Sequence, residues 1–111
     1  MLRTDLWAAA FVRRHNDLGH VCVVVRRGDP IAGQVFIEVD HLNGEVSLYT
    51  PAPMAARPEE TADRVFQHRL NHVAPEIVLK RMEQEQRFDP DFWLLALEMR
   101  SGDLGLLVIA G

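Results

Sequence analysis

The sequence predicts an α+β domain. Its mainly antiparallel sheet has four to five strands, a meander over 21–50 plus a strand over 92–99. An N-terminal helix over 5–18 and a helix near 75–87 pack against it. Three observations carry this. Gly33 to Thr50, GQVFIEVDHLNGEVSLYT, alternates apolar and polar residues about an Asn-Gly turn. Val21-Cys22-Val23-Val24-Val25 is a continuous β-branched run. Trp7, Ala10, Phe11 and Leu18 recur near helical spacing just ahead of Gly19.

In chain order, Thr4 is a plausible N-cap and Asp5 suits the positive end of a helix dipole. Arg13-Arg14 fall late, and Gly19 is a natural C-terminal stop. Strand 21–26 reads as buried on both faces. Gly28-Asp29-Pro30-Ile31-Ala32-Gly33 is a loop by composition, short enough to imply antiparallel pairing with the strand that follows. With Asn43-Gly44 as a two-residue turn, Val39 faces Leu48 and Ile37 faces Thr50. Val35, Ile37, Val39, Val46 and Leu48 then share a core face. A one-residue slip would carry the apolar set into water. Phe36, Glu38, Asp40, Ser47 and Tyr49 share the second face, where Phe36 and Tyr49 are the expected partner-binding residues.

Pro51-Ala52-Pro53 ends the third strand. Pro58-Glu59-Glu60 opens a helix well, and Val65-Phe66 and Arg69-Leu70 fit one face of it. Phe66, His68 and Leu70 also alternate, which leaves a strand over 64–70 open. Pro75 starts the second helix, with Ile77, Val78 and Met82 as its apolar stripe. Phe88-Asp89-Pro90-Asp91 breaks the chain before the apolar strand from Phe92. Ser101-Gly102-Asp103 marks a turn, and Leu104 to Ile109 can pair back as a last strand.

At 111 residues, 48% hydrophobic and 25% charged, the chain fits one domain over 1–111 with enough apolar material for one core. A net charge of −4 supplies no global attraction for nucleic acid. No segment approaches the ~18 apolar residues of a membrane span, and LWAAAFV, preceded by Asp5, has the wrong flanks for a signal peptide. The expected location is cytoplasmic, with no membrane partner. The single cysteine, Cys22, sits in an apolar run and reads as a small hydrophobe rather than a nucleophile. Eleven of the twelve basic residues are Arg, which suits bidentate anion recognition but also follows from a GC-rich genome.

Three clusters are candidate sites. Arg26, Arg27 and Asp29 lie at one strand–loop junction, and Arg87, Asp89 and Asp91 at another. If the loops meet, they set forked donors beside carboxylates, as phosphate recognition needs. The competing reading is that Asp29 and Asp89 cap their own turns. Asp29, Glu38 and Asp40 suggest the carboxylates of a Mg²⁺-dependent nuclease, but the expected lysine position holds Asp40, and an ordinary solvated face explains them better. His68 and His72 have the i, i+4 spacing of two zinc ligands on a helix, yet Pro75 breaks that helix before Glu76 and no further His or Cys supports them. No metal site is expected. G-x-S-x-G, Walker, G-x-G-x-x-G and CxxC patterns are lacking, so no cofactor is expected either.

The segments RRGDPIAG (Arg26 to Gly33), LYTPAP (Leu48 to Pro53) and RFDPDFW (Arg87 to Trp93), with the LNG turn, together resemble a family of small bacterial proteins of about this length, a domain of unknown function. The likeness spans Leu6 to about Met99. It implies one cytoplasmic domain and carries no activity, cofactor or catalytic residue to transfer. The functional expectation therefore rests on the residues: a non-enzymatic binding module for a protein partner or a second copy of itself. The alternative is a phosphate- or nucleotide-binding protein, or an enzyme, acting through the Arg/Asp cluster.

Overall fold

A computed structural model describes residues 2–58 and 63–109. In chain order the elements are α1 (Thr4–Asp17), β1 (Val21–Arg26), β2 (Val35–Asp40), β3 (Val46–Pro51), a 3₁₀ turn at Met54–Ala56, β4 (Val65–Val73), α2 (Pro75–Phe88), β5 (Trp93–Glu98) and β6 (Leu107–Ile109). The strands form one six-stranded mixed sheet in the order β1-β5-β2-β3-β4-β6. The α+β class and both expected helices are present. The sheet is larger than expected, with six strands, and it is mixed, because β5 runs parallel to β2 and β6 runs parallel to β4. None of the described helices is long and apolar enough to cross a membrane.

Helix α1 ends as its sequence demands. Gly19 takes φ +92°, its N–H donates to the Asn16 carbonyl (3.0 Å), and the His20 N–H donates to the His15 carbonyl (3.0 Å). Its start differs from the sequence reading. Thr4 is the first helical residue, and its hydroxyl donates to the carbonyls of Ile31 and Gly33 rather than capping the helix. The 28–33 loop does the capping: the Thr4 and Asp5 N–H groups donate to Ile31 (3.2 Å) and Pro30 (2.9 Å).

The expected 21–50 meander is broken by β5, which inserts between β1 and β2, antiparallel to the first and parallel to the second. Trp93, Leu95 and Leu97 are fully buried on one side of β5, while Leu94 and Ala96 are half-buried on the other. Strand β1 is left at the edge. It is not buried on both faces: Cys22 is buried, but Val21, Val23 and Val25 are 54%, 49% and 59% exposed.

The β2–β3 register differs by one residue from the sequence reading. Ile37 pairs with Tyr49, Val39 with Ser47 and Asp40 with Val46. The loop is three residues, Leu42-Asn43-Gly44, closed by the His41 N–H donating to Glu45 (3.1 Å). Side chains stabilise the extra residue. Asp40 accepts from the Leu42 N–H (2.8 Å) and Asn43 from the Glu45 N–H (3.0 Å), and Leu42 takes φ +62°. This slip does not expose the apolar set, because both faces of the sheet are covered there. Val46 and Leu48 turn to the α2 face beside Phe36, and Val35, Ile37 and Val39 turn to the α1 face.

Residues 65–73 form a strand, which resolves the helix–strand ambiguity. The strand pairs with β3 and buries Val65, Phe66 and Gln67. Glu59 and Glu60 of the expected helix opening lie outside the described residues. Strand β6 pairs in parallel with β4 at the far edge. In α2, Val78 and Met82 are buried, while Ile77 faces outward.

Candidate functional site

The two Arg/Asp loops do meet. The Asp29 N–H donates to Asp91 (2.9 Å), and Trp93 Nε1 donates to the Asp29 carbonyl (2.8 Å). Gly28 is indispensable here, because a Cβ on it would lie 2.0 Å from the Asp91 carbonyl oxygen. The side chains brace the junction. Arg26 stacks 4.7 Å over Phe92 and donates to Pro90, and Arg27 stacks 5.0 Å over Trp93. Asp29 accepts from the N–H groups of Ile31 and Ala32, and Asp89 from that of Asp91. Arg87 sits in the last turn of α2, and no ion pair joins it to these acids among the described residues. RRGDPIAG and RFDPDFW thus fasten β1, β5 and the N-terminus of α1 together.

Phe36 and Tyr49 do not share a surface. Phe36 is buried, edge-on to Phe92 at 5.4 Å on the α2 side. Tyr49 lies on the α1 side, half-buried and stacked on His68 at 4.3 Å. The one-residue register difference separates them. Glu38 and Asp40 do share a face, but Asp29 sits beside the start of β2 and Asp40 at its end. Among the described residues, no three His, Cys, Asp or Glu side chains converge as metal ligands. Burial pushes the Cys22 thiol up to about 11, out of the nucleophilic range.

Two of the concavities lie on opposite sides of the sheet. The first is a cleft of about 480 Å³ at the end of the α1 side. His68 and His72 line it from β4, where a strand rather than a helix brings them together. His41 joins them, stacked on His72 at 3.8 Å. Ser47 ties this pair, 2.7 Å from His41 Nε2 and accepting from the His72 N–H. His72 takes φ +50°, where a β bulge on β3 and β4 reshapes the strand. Burial, with His72 close by, holds both His41 and His68 below the ordinary imidazole pKa. Sequence reasoning missed His41 and Arg100, which are distant in the chain and carry no shared spacing.

The second concavity is a groove of about 500 Å³ on the α2 side, lined by Val25, Leu79, Met82 and Leu94 with Glu38 and Glu76. Helix α2 packs mainly on β3 and β4, which leaves β1 exposed and β5 half-covered on this side. Cross-strand pairing extends the patch: Val23, Ala96 and Glu38 form one row, and Val21, Glu98 and Asp40 another. Burial, and secondarily Asp40, raises the Glu38 pKa. The exposed valines were hidden in the sequence because a β-branched run looks the same in an edge strand and a central one.

These features define a small α+β domain with a mixed six-stranded sheet, a helix on each side and a concavity on each side. The chain belongs to the family described as "Protein of unknown function (DUF1491)", whose pattern matches residues 2–106. A solution structure of an A. tumefaciens protein is similar with a TM-score of 0.85 and 29% identity, over 99% of this chain and 96% of that one. A crystal structure of a DUF1491 family protein from Caulobacter crescentus CB15 is similar with a TM-score of 0.78 and 29% identity, over 97% of each chain. An NMR structure of a DUF1491 family protein from the same organism has a TM-score of 0.77 and 30% identity, over 97% of this chain and 96% of that one. No curated protein matches.

Proposed function

We propose that this chain is a non-enzymatic binding module whose partner lays a basic amphipathic helix in the groove between β1 and α2. The observation that supports it most is the uncovered half of the α2 side, where Val21, Val23, Val25 and Leu79 are all exposed. Helices pack ~8–10 Å apart, and two strand spacings come to about the same distance. A helix beside α2, two strand spacings over, would lie above β2 and β5 with its outer flank toward β1, and would complete the layer. Charge selects its character. Glu38, Asp40, Glu76 and Glu98 surround the apolar patch, so lysine or arginine flanking an apolar stripe is complementary. Half-buried Glu38 would gain most from such a cation. A phosphate ligand at the Arg/Asp junction is the weaker reading, because Arg26, Arg27, Asp29 and Asp89 are engaged in bracing the fold.

The test uses two synthetic amphipathic helices, one of leucine and lysine and one of leucine and glutamate, titrated calorimetrically into the purified protein. The lysine peptide should bind, and Val23→Asp should weaken it by about tenfold or more, a change of about 1.4 kcal/mol. Equal binding of the glutamate peptide, or undiminished binding to Val23→Asp, overturns the proposal.

A further inference from the structure

The groove beside α2 has two unlike ends. We infer that it is directional: the partner helix lies in it parallel to α2, with its N-terminus over Asp40 and Glu98 and its C-terminus toward Arg26. The direction presupposes the helix-binding reading above and adds to it the orientation of the partner.

Strand pairing lays the charges out in rows. Asp40 of β2 pairs with Glu98 of β5, and Glu98 with Val21 of β1. The next row is Glu38, Ala96 and Val23, and the third is Phe36, Leu94 and Arg26. The outer rows are ~13 Å apart, which about nine residues of helix would span. Glu76 belongs to the Asp40 end, because Asp40 pairs with Val46, and Val46 with Val73, just before Pro75 opens α2. Asp40, Glu76 and Glu98 thus gather at one end, with Glu38 one row in. Arg100 follows Glu98 closely in the chain but makes no ion pair with any of them. At the other end, Arg26 stacks over Phe92 on the α2 side, and Arg87 lies in the last turn of α2. Asp29, Asp89 and Asp91 there are matched in number by Arg26, Arg27 and Arg87. Asp29 and Asp89 also accept from N–H groups of their own turns.

Charge along the groove therefore runs from net negative to balanced. A helix is partly positive at its N-terminus and partly negative at its C-terminus, where the last carbonyls lack partners. Lying parallel to α2, the partner sets its positive end on the acids. Reversed, it would point its orphan carbonyls at Asp40 and Glu98. Helix α2 obeys the same rule, with Glu76 in its first turn and Arg87 in its last. It runs from the end of β4 back to the start of β5, against the common direction of β2, β4 and β5.

The experiment uses the intact protein and the leucine–lysine peptide, with evenly spaced lysines and blocked ends, so that only helix direction separates the two poses. A nitroxide is placed on its first or its last residue, and broadening of the protein's amide resonances is read by NMR. The N-terminal label should broaden Val21, Asp40 and Glu98 most strongly, and the C-terminal label Val25, Arg26 and Leu94. Glu76→Gln with Glu98→Gln, both at exposed positions, should weaken binding by about fivefold and narrow the contrast between the labels. A reversed pattern, equal broadening of both ends by both labels, or affinity and contrast unchanged in the double variant overturns the direction while leaving the groove as the binding site. No saturable binding, or broadening confined to other surfaces, overturns the helix-binding reading and the direction with it.

Discussion

The two sides of the sheet are each faced by a helix of 14 residues, yet they are built differently. Helix α1 buries Thr4, Trp7, Ala8, Phe11 and His15, while α2 buries only Val78 and Met82. On the α1 side, aromatic rings run continuously: Trp7 stacks on Phe11 at 5.5 Å and lies 5.7 Å from Phe66, and Phe11 lies 4.5 Å from His15. On the α2 side, the core stops at Phe36, Phe92 and Leu94, and the β1 valines beyond it face solvent. Strand order explains the contrast. Helix α1 sits over β1 and β5, α2 over β3 and β4, and one helix spans only about two strands. The α1 side has a second cover, the chain from Met99 to Leu106, which the α2 side lacks.

Equivalent substitutions on the two sides should therefore have unequal effects. Trp93→Ala should cost the most, ~3–5 kcal/mol in urea unfolding, since it empties the α1-side core and deletes the bond to Asp29. A cost under ~1 kcal/mol would mean that side is loosely packed. Gly28→Ala should follow, at ~1–3 kcal/mol or more, because the added methyl collides with the Asp91 backbone and pries β1 from β5.

Titration should distinguish the two sides by sign. His15 is buried and bonded to the Leu104 carbonyl at 3.0 Å, and burial chiefly, with Arg14 and His20, lowers its pKa. The unfolded chain then binds the proton more readily. The stability His15 contributes is present above the ordinary value of 6.5 and is lost as pH falls toward the lower folded value. Glu38 on the α2 side does the reverse. Its folded pKa is raised, so its contribution is present below the ordinary 4.5 and is lost as pH rises through the folded value. Urea midpoints measured against pH should show His15→Gln flattening the acid limb. Glu38→Gln should instead raise stability at neutral pH. Effects of the same sign would contradict this difference in environment. The smallest effect should come from Val23→Ala, within ~0.5 kcal/mol by the same measurement, because half of that side chain is already in water. A larger loss would mean that the β1 valines are covered in solution.

Local signals were legible residue by residue. Gly19 stops α1 through its left-handed conformation, and Pro75 starts α2 where its missing N–H costs nothing. Whether the two Arg/Asp loops meet was left open by the sequence, because nothing local fixes the distance between them. Their internal roles were foreseeable, since Asp at a turn start bonds its own backbone. What failed was pairing. The Asn-Gly signal marked a hairpin, but Asp40 and Asn43 together admit a third loop residue, which moved Tyr49 to the opposite side from Phe36. The spacing of His68 and His72 was noticed, but as helical spacing; on β4 they line a cleft that also takes in His41 and Arg100.

Helix ends, turn positions and the apolar character of each segment follow from interactions within a few residues, so the amino-acid order was enough to decide them. Which strand occupies the centre does not. Val21–Val25 and Phe92–Leu97 are both apolar runs, and competition between them for an interior position in the sheet is a long-range matter of side-chain volume and helix placement. Packing put β5 in the middle and β1 at the edge. That arrangement opened the groove beside α2, and the bulged pairing of β3 with β4 gathered the imidazoles on the other side.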